Sequence, residues 1–511
     1  MSKNVQELII KALEGQLLPE ENQTLSEAIA KDPLLREEYL QQCRLEGMLQ
    51  ASFGGLVAPE GNPSEDLPLK QARQLVAPEA HPVIRKNISP TIVYFMAAAA
   101  LIACVLGLAL YFPMKVSYTE ESLVGPVARV IHSNNKNVSN GVFLWPGEFN
   151  NQRGNVHLML DSGAEIIVTG PAKLSLDSAM RVSLKTGKVS VRVPPPASGF
   201  LLTTERMSIN DQGTSFGVEV GEDADTLHVF EGSVFAAPNN LSDTERIVKA
   251  GGSVVASEDH FEFVDEKEYP SESFNRSFNV PSPAKSEYVH YSFEGNLEEK
   301  GSAIGDYRGS FIHRQKGDSL FQPWLNGIHG KALHLNGNFW VQTQYRGVSG
   351  AKPRTVSLWL RVLPGSKFGK PASLVAWGSD ESSQKWQVML DTSGAFRVSL
   401  GHGYVIGSTD LRDGRWHHVG AVYLGGENAD VRTHVRLYVD GKLEMMRKVK
   451  RQEVNTGDSS SLVIGQNITH YNNPDFMFQG LIDEVYIFRE ALLPNQILML
   501  KEYNSLELLT H

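Results

Sequence analysis

The period of apolar and polar positions changes along the chain, and each change predicts a different kind of element. From residue 4 to 50, Val5, Leu8, Ile9, Leu13 and Leu17 recur at helical spacing. Asp32-Pro33 then supplies an N-cap residue followed by proline at the first helical position, ahead of Leu34, Leu35, Tyr39, Leu40 and Cys43. Residues 1–53 thus read as a small helical unit, and the Pro- and Ala-rich stretch 54–90 as a tether. Between Thr91 and Phe112 polar positions vanish: 22 residues, TIVYFMAAAALIACVLGLALYF, carry no charge. At ~1.5 Å per residue such a helix reaches ~33 Å, enough for a hydrocarbon core of ~30 Å, so the pattern predicts one transmembrane helix at 91–112. A buried core helix seldom runs that long without a polar position, and a cleaved leader places its apolar core within the first ~30 residues.

After Pro113 the period becomes two. Short strand signals fill 120–257, among them VHLML (156–160), KVSVRV (188–193) and SFGVEV (215–220). They are punctuated by Asp161-Ser162-Gly163, Thr186-Gly187 and Glu231-Gly232. In KVSVRV the side chains of Val189, Val191 and Val193 share one face. Residues 258–284 turn charged and then Ser/Pro-rich, as a linker does. Strand signals resume over 285–503, including TVSLWLRV (355–362), WQVML (386–390), HHVGAVY (417–423) and LIDEVYIF (481–488). The expected fold class is mainly β: a small cytoplasmic helical unit, one transmembrane helix, an all-β domain, then a β-sandwich.

Charge and cysteine usage narrow the function. With 48 Lys+Arg against 58 Asp+Glu the net charge is −10, which argues against a protein built to coat nucleic acid. Arg73, Arg85 and Lys86 precede the apolar run, whereas Lys115 is followed by Glu120 and Glu121. The positive-inside rule then places the N-terminus in the cytoplasm and exports the β domains, as in a single-pass inner-membrane protein with its C-terminal part on the periplasmic side. The two cysteines, Cys43 and Cys104, both precede the β domains, which therefore contain no disulfide. A small acidic helical unit on the inner side of one membrane helix is similar to the plan of anti-sigma factors; Cys43 and His81 are too few and too far apart for the zinc-binding kind, and the alternative is a plain anchor.

The runs LMLDSGAEIIVTGPAKLSLDS, VSLKTGKVSVRVP and FLLTTERMSINDQGTSFGVEV, followed by LHVFEGSVF, resemble the FecR family. Its Gly-Thr-x-Phe-x-Val strand stands here as Gly213-Thr214-Ser215-Phe216-Gly217-Val218, and its Glu-Gly-x-Val hairpin as Glu231-Gly232-Ser233-Val234. The resemblance implies a membrane regulator whose exported domain receives a signal and whose cytoplasmic helices govern a sigma factor. The family's cytoplasmic tryptophans have no counterpart, the first tryptophan being Trp145. Further on, VHYSFEGN, GIHGKALHLNG, TVSLWLRV, DGRWHHVGAVY, LYVDGK and GLIDEVYIFREALLPNQI follow one another as in laminin G-like, concanavalin A-like jelly rolls.

That resemblance implies calcium near the paired first and last strands, with Asp483 and then Glu294 as candidate ligands, since oxygen donors suit Ca²⁺; the alternative for Asp483 is that it satisfies backbone donors at a turn. His417 and His418 are neighbours on a strand, so they point to opposite faces and do not share an ion. Trp324, Trp340, Trp377, Trp386 and Tyr404 could stack on sugar, although tryptophan also serves sandwich cores. A glycosidase needs carboxylates alternating along one face of a strand. LIDEV offers only adjacent acids, and no serine elbow, P-loop or HExxH motif is present. The expectation is a non-enzymatic protein that binds a glycan or protein ligand outside and passes the signal to a sigma factor inside. The alternative is a structural or adhesive surface protein.

Overall fold

The computed structural model describes residues 125–239, 245–264, 271–278, 287–314, 322–364, 366–381, 383–469 and 473–506. All of these fall in the compact unit Lys115–His511.

One part of the expected fold class is corrected. The described architecture is mainly β, and none of its helices is long and apolar enough to cross a membrane. The longer described α-helix, Pro494–Tyr503, has 10 residues. At ~1.5 Å per residue it reaches ~15 Å, about half of a hydrocarbon core. Its buried Ile497 and Leu500 pack against Val422, Tyr438, Tyr486 and Phe488 of the second β region, so it is a surface helix of a sandwich. The helical unit expected at 1–53, the tether at 54–90 and the apolar run at 91–112 lie outside the described residues.

The first β region is a 14-stranded sheet built around the long hairpin Glu165–Ser178 and Arg181–Arg192. Alternation assigns its faces. Ile166 and Val168 on one strand and Val189 and Val191 on the next join Leu158, Phe216, Val218 and Leu227 in one apolar core. The sheet extends past the boundary expected at 257. Phe261–Val264, in the segment read as linker, pairs with Ser253–Ala256, and Phe261 joins the apolar core.

The second region packs two eight-stranded sheets face to face. Val356, Leu358 and Leu360 of Arg354–Arg361 and Val419 and Ala421 of Trp416–Tyr423 face Trp377, Trp386, Val388, Phe396 and Val398 across one core. Arg354 is fully buried in it, and among the described residues no carboxylate pairs with it. Its guanidinium donates to the carbonyls of Val348, Gly350 and Lys352 and to Thr456 Oγ1, and lies over the Trp386 and Tyr423 rings. Burial lowers its pKa to about 9, still well above neutrality.

The two β regions touch through built contacts. Arg436, on Val435–Val439, pairs with Asp161 in the turn before Glu165–Ser178, and also donates to the Pro126 carbonyl. Tyr438 Oη donates to the Asp161 carbonyl at 2.9 Å. Phe143 packs on the cluster that includes Val422, Tyr438 and Leu492, and Trp145 meets His434 edge-on at 5.9 Å.

Candidate functional site

Asp483 and Glu294 converge on one turn. The strands Trp324–Asn326 and Lys331–Asn336 are joined by Gly327-Ile328-His329-Gly330, closed by Gly327 N–H donating to Gly330 O at 3.0 Å. Asp483 Oδ2 accepts from the N–H groups of Ile328 (3.0 Å) and His329 (3.3 Å), and Oδ1 from that of Glu484 (2.9 Å). Glu294 Oε2 accepts from Lys331 N–H at 3.1 Å, and a Cβ at Gly330 would fall on its carboxylate. Glycine is therefore required at Gly330, where φ is +57°.

This donor set does not fit calcium. Both Asp483 oxygens already receive N–H groups, whose positive ends oppose a cation. Among the described residues no group of three or more His, Cys, Asp or Glu side chains is placed to share an ion. Burial, and then the neighbouring Glu484 charge, raises the Asp483 pKa to about 8. The two carboxylates staple a turn.

The adjacent acids also depart from simple alternation. Ser357 pairs with Tyr486 and Trp359 with Asp483, so one residue of Arg354–Arg361 faces two of Gln479–Phe488. This bulge puts Glu484 at φ +51° and leaves both Asp483 and Glu484 buried. Glu484 pairs with His290 Nε2 at 2.5 Å, and the His290 ring stacks on Tyr486 with centroids 3.8 Å apart. His417 and His418 do part company. His417 bridges Asp440 (2.9 Å) and Asp413 (3.0 Å). His418 turns inward to Ser357 Oγ at 2.8 Å, and burial lowers its pKa to about 3.

The outer face of one jelly-roll sheet carries the residues best suited to a polar ligand. On Lys385–Leu390, Trp386, Val388 and Leu390 enter the core, which sends Lys385, Gln387 and Met389 to the other side. Cross-strand register continues Gln387 to Ser399, Ser399 to Tyr404, and Tyr404 to Lys450. At ~4.8 Å per strand, this row of amide, hydroxyl, phenol and ammonium spans ~14 Å, with Gln387 and Ser399 buried and Tyr404 and Lys450 reaching the surface. Arg397 lies over the Tyr404 ring at 4.4 Å, held by Asp391 at 3.0 Å, and Lys448 approaches the same ring at 5.8 Å. The other half of this face is apolar and covered: Trp340, Ala376 and Val463 pack under Ile468 and Met477. Lys385 Nζ, donating to Thr469 Oγ1 at 2.6 Å, marks the boundary.

Of the five aromatics considered for sugar stacking, Trp377 and Trp386 are core residues and Trp340 lies under that cover. Trp324 packs on Phe293 and Phe311. Tyr404 is half-buried on the half of the face that lies outside that cover. Gln387, Ser399 and Arg397 escaped the sequence reading, although their phase opposite Trp386, Val388 and Val398 was available to find them.

Two β regions of distinct architecture, one 14-stranded sheet and one sandwich of two eight-stranded sheets, share this chain. Residues 151–235 match the family described as FecR protein, and residues 335–498 match the concanavalin A-like lectin/glucanases superfamily. No curated protein matches the chain. Among solved structures, domain 4 of AbnA, a GH43 extracellular arabinanase from Geobacillus stearothermophilus in complex with arabinotriose, is 22% identical, with a TM-score of 0.33 over 43% of this chain and 100% of that one. The Ruminococcus gnavus IT-sialidase CBM40 is 13% identical, with a TM-score of 0.25 over 33% of this chain and 96% of that one. A candidate anti-sigma factor from Parabacteroides distasonis ATCC 8503 is 12% identical, with a TM-score of 0.20 over 23% of this chain and 57% of that one.

Proposed function

We propose that the chain is a non-enzymatic regulator that binds a glycan through its jelly roll and reports occupancy to a protein partner, a sigma factor being the expected one, through its FecR region. The observation that carries this reading is the row Gln387–Ser399–Tyr404–Lys450. It aligns hydrogen-bonding groups with one half-buried aromatic ring; Tyr404 and Lys450 reach the surface, and Gln387 and Ser399 are buried behind them. Sugar recognition uses that combination of an apolar ring and a few convergent polar groups. The adjacent acids on Gln479–Phe488 serve a turn and a histidine, which supports binding without hydrolysis.

A glycan array probed with the full-length chain tests the ligand class. Binding to defined oligosaccharides that is lost in Tyr404→Ala supports the reading, and binding indifferent to Tyr404 overturns the assigned face. Co-purification of a sigma factor with the full-length chain, changed by the bound glycan, tests the relay.

A further inference from the structure

The FecR-type sheet has a second side, and the chain itself sits on it. His157, Ile167, Ser190, Gly217, His228 and Ser253 are successive cross-strand partners. Their chain neighbours Val156, Ile166, Val189, Phe216, Leu227 and Val254 point into the apolar core, so this row faces away from it. The row is nonetheless buried; His228 is 3% and Ser190 1% exposed. Its middle is a trough, because Ser190 and Gly217 are small while histidines rise on either side.

Two phenylalanines of residues 271–278 lie in this trough. Phe274 meets His228 and Phe230 edge-on at 5.5 and 5.7 Å, with Lys188 Nζ 4.9 Å from its ring. Phe278 meets His157 edge-on at 5.8 Å and lies under Arg192 at 4.7 Å. Each ring is thus held by one histidine edge and one cation. Gly217 completes the fit, since a Cβ there would come within 2.6 Å of the Phe274 ring. Glu165 fixes the wall at Phe278, binding His157 at 2.8 Å and Arg192 at 2.6 Å. Among the described residues no backbone hydrogen bond joins 271–278 to the sheet, and the polar tie is Lys188 Nζ to Ser273 Oγ at 3.1 Å. The segment is held by its side chains rather than woven into the sheet.

We infer that this trough is a docking site for a protein segment carrying two aromatic side chains four residues apart, and that residues 271–278 fill it in cis as a removable plug. The partner is identified by what the trough already holds: two phenylalanine rings, each between a histidine and a base. The inference rests on the regulatory reading of the FecR region and gives that partner a chemistry. It is independent of the glycan face, so the two can fail separately. A short tether supplies a local concentration on the order of millimolar, so a partner must outcompete the plug or find it displaced.

The test uses a fluorescent peptide of residues 271–280, SESFNRSFNV, titrated by anisotropy into the full-length chain and into its Phe274→Ser/Phe278→Ser variant. The variant is expected to bind the peptide at least roughly tenfold more tightly than the unaltered chain, because the competing segment no longer fits. A peptide with both phenylalanines replaced by alanine should bind neither protein, and adding Gly217→Ala to the variant should abolish binding by filling the floor. Equal affinity in the two proteins, or binding that ignores the peptide's phenylalanines, overturns the inference. If the double variant melts below the assay temperature, Phe278→Ala with Phe274 retained replaces it, with an expected gain of about threefold, and no gain there overturns the inference equally.

Discussion

Asp161 and Arg436 form an ion pair across the junction of the two β regions, and both side chains are largely withdrawn from water, at 16% and 11% exposure. The arginine also donates to Thr433 O at 2.9 Å and Val435 O at 3.1 Å, which fixes its direction before Asp161 is counted. Tyr438, two residues on and on the same face of its strand, binds the Asp161 backbone. A pair so oriented and desolvated differs from a surface salt bridge, whose worth is ~0–1 kcal/mol. The junction therefore holds the sandwich and the 14-stranded sheet together.

Removing one partner should uncouple the regions. Asp161→Ala leaves Arg436 partly buried without its carboxylate, at an expected cost of about 2 kcal/mol. Differential scanning calorimetry should show the melting of the unaltered chain separate into two transitions in the variant. Arg436→Ala should do the same, and the double variant should cost less than the sum of the singles. Additive effects would show that the pair carries no coupling.

The turn staple makes a prediction about pH. The Asp483 pKa in the folded chain stands at about 8, raised by burial and by Glu484, against an ordinary carboxylate value of about 4. A raised value means that the folded state favours the protonated form. The contribution is fully present below about pH 4 and is lost as pH rises through about 8. Melting temperatures of the unaltered chain should therefore fall relative to Asp483→Asn as pH is raised from 5 to 8.5. The amide still accepts from Ile328 or His329, and its lost acceptor for Glu484 N–H adds only a constant offset. A difference that stays flat across this range would contradict the assignment.

Much of the fold was legible because its cause is local. The alternation in KVSVRV put Val189, Val191 and Val193 on one face, and all three are core residues. For Asp483 the sequence leaves two readings open, a calcium ligand or an acceptor of backbone donors at a turn, and the geometry that favours the second depends on where Ile328, His329 and Lys331 direct their N–H groups, which no spacing encodes. The bulge at Glu484 defeats the rule that neighbours on a strand face opposite ways. The burial of Arg354 had no signal in the alternation, since it depends on how the loop just before it turns the carbonyls of Val348, Gly350 and Lys352 inward and on Thr456 from a distant loop. The segment 271–278 read as linker from its serines and charges, and the signal that it docks was the pair Phe274 and Phe278. The helical pattern read in residues 1–124 lies outside the described residues.

The calcium expectation can be checked directly. An ion held at saturation near 100 times its Kd would stabilise the jelly roll by ~2.7 kcal/mol and raise its melting temperature by roughly 5–10 °C. With Asp483 committed to three N–H donors, EDTA and added Ca²⁺ should leave the melting temperature unchanged. A shift in that range, lost in Asp483→Asn, would restore the ion to this site.

The glycan face yields the most discriminating variants. Tyr404 offers its ring with Arg397 on one side, so a sugar must either share that ring or displace the guanidinium. Tyr404→Phe keeps the ring and removes only the hydroxyl. If the ring does the stacking, affinity should fall less than about fivefold in Tyr404→Phe and at least tenfold in Tyr404→Ala, a truncation of ~1.4 kcal/mol or more. Gln387→Ala, at the far end of the row beyond Ser399, removes an amide without touching the ring. Its loss should grow with oligosaccharide length, because a short ligand seated on Tyr404 does not reach it. Isothermal titration with oligosaccharides of increasing length separates these outcomes. Equal losses in Tyr404→Phe and Tyr404→Ala would show that the hydroxyl, and not the ring, makes the contact. A Gln387→Ala effect independent of ligand length would remove the row as the binding track.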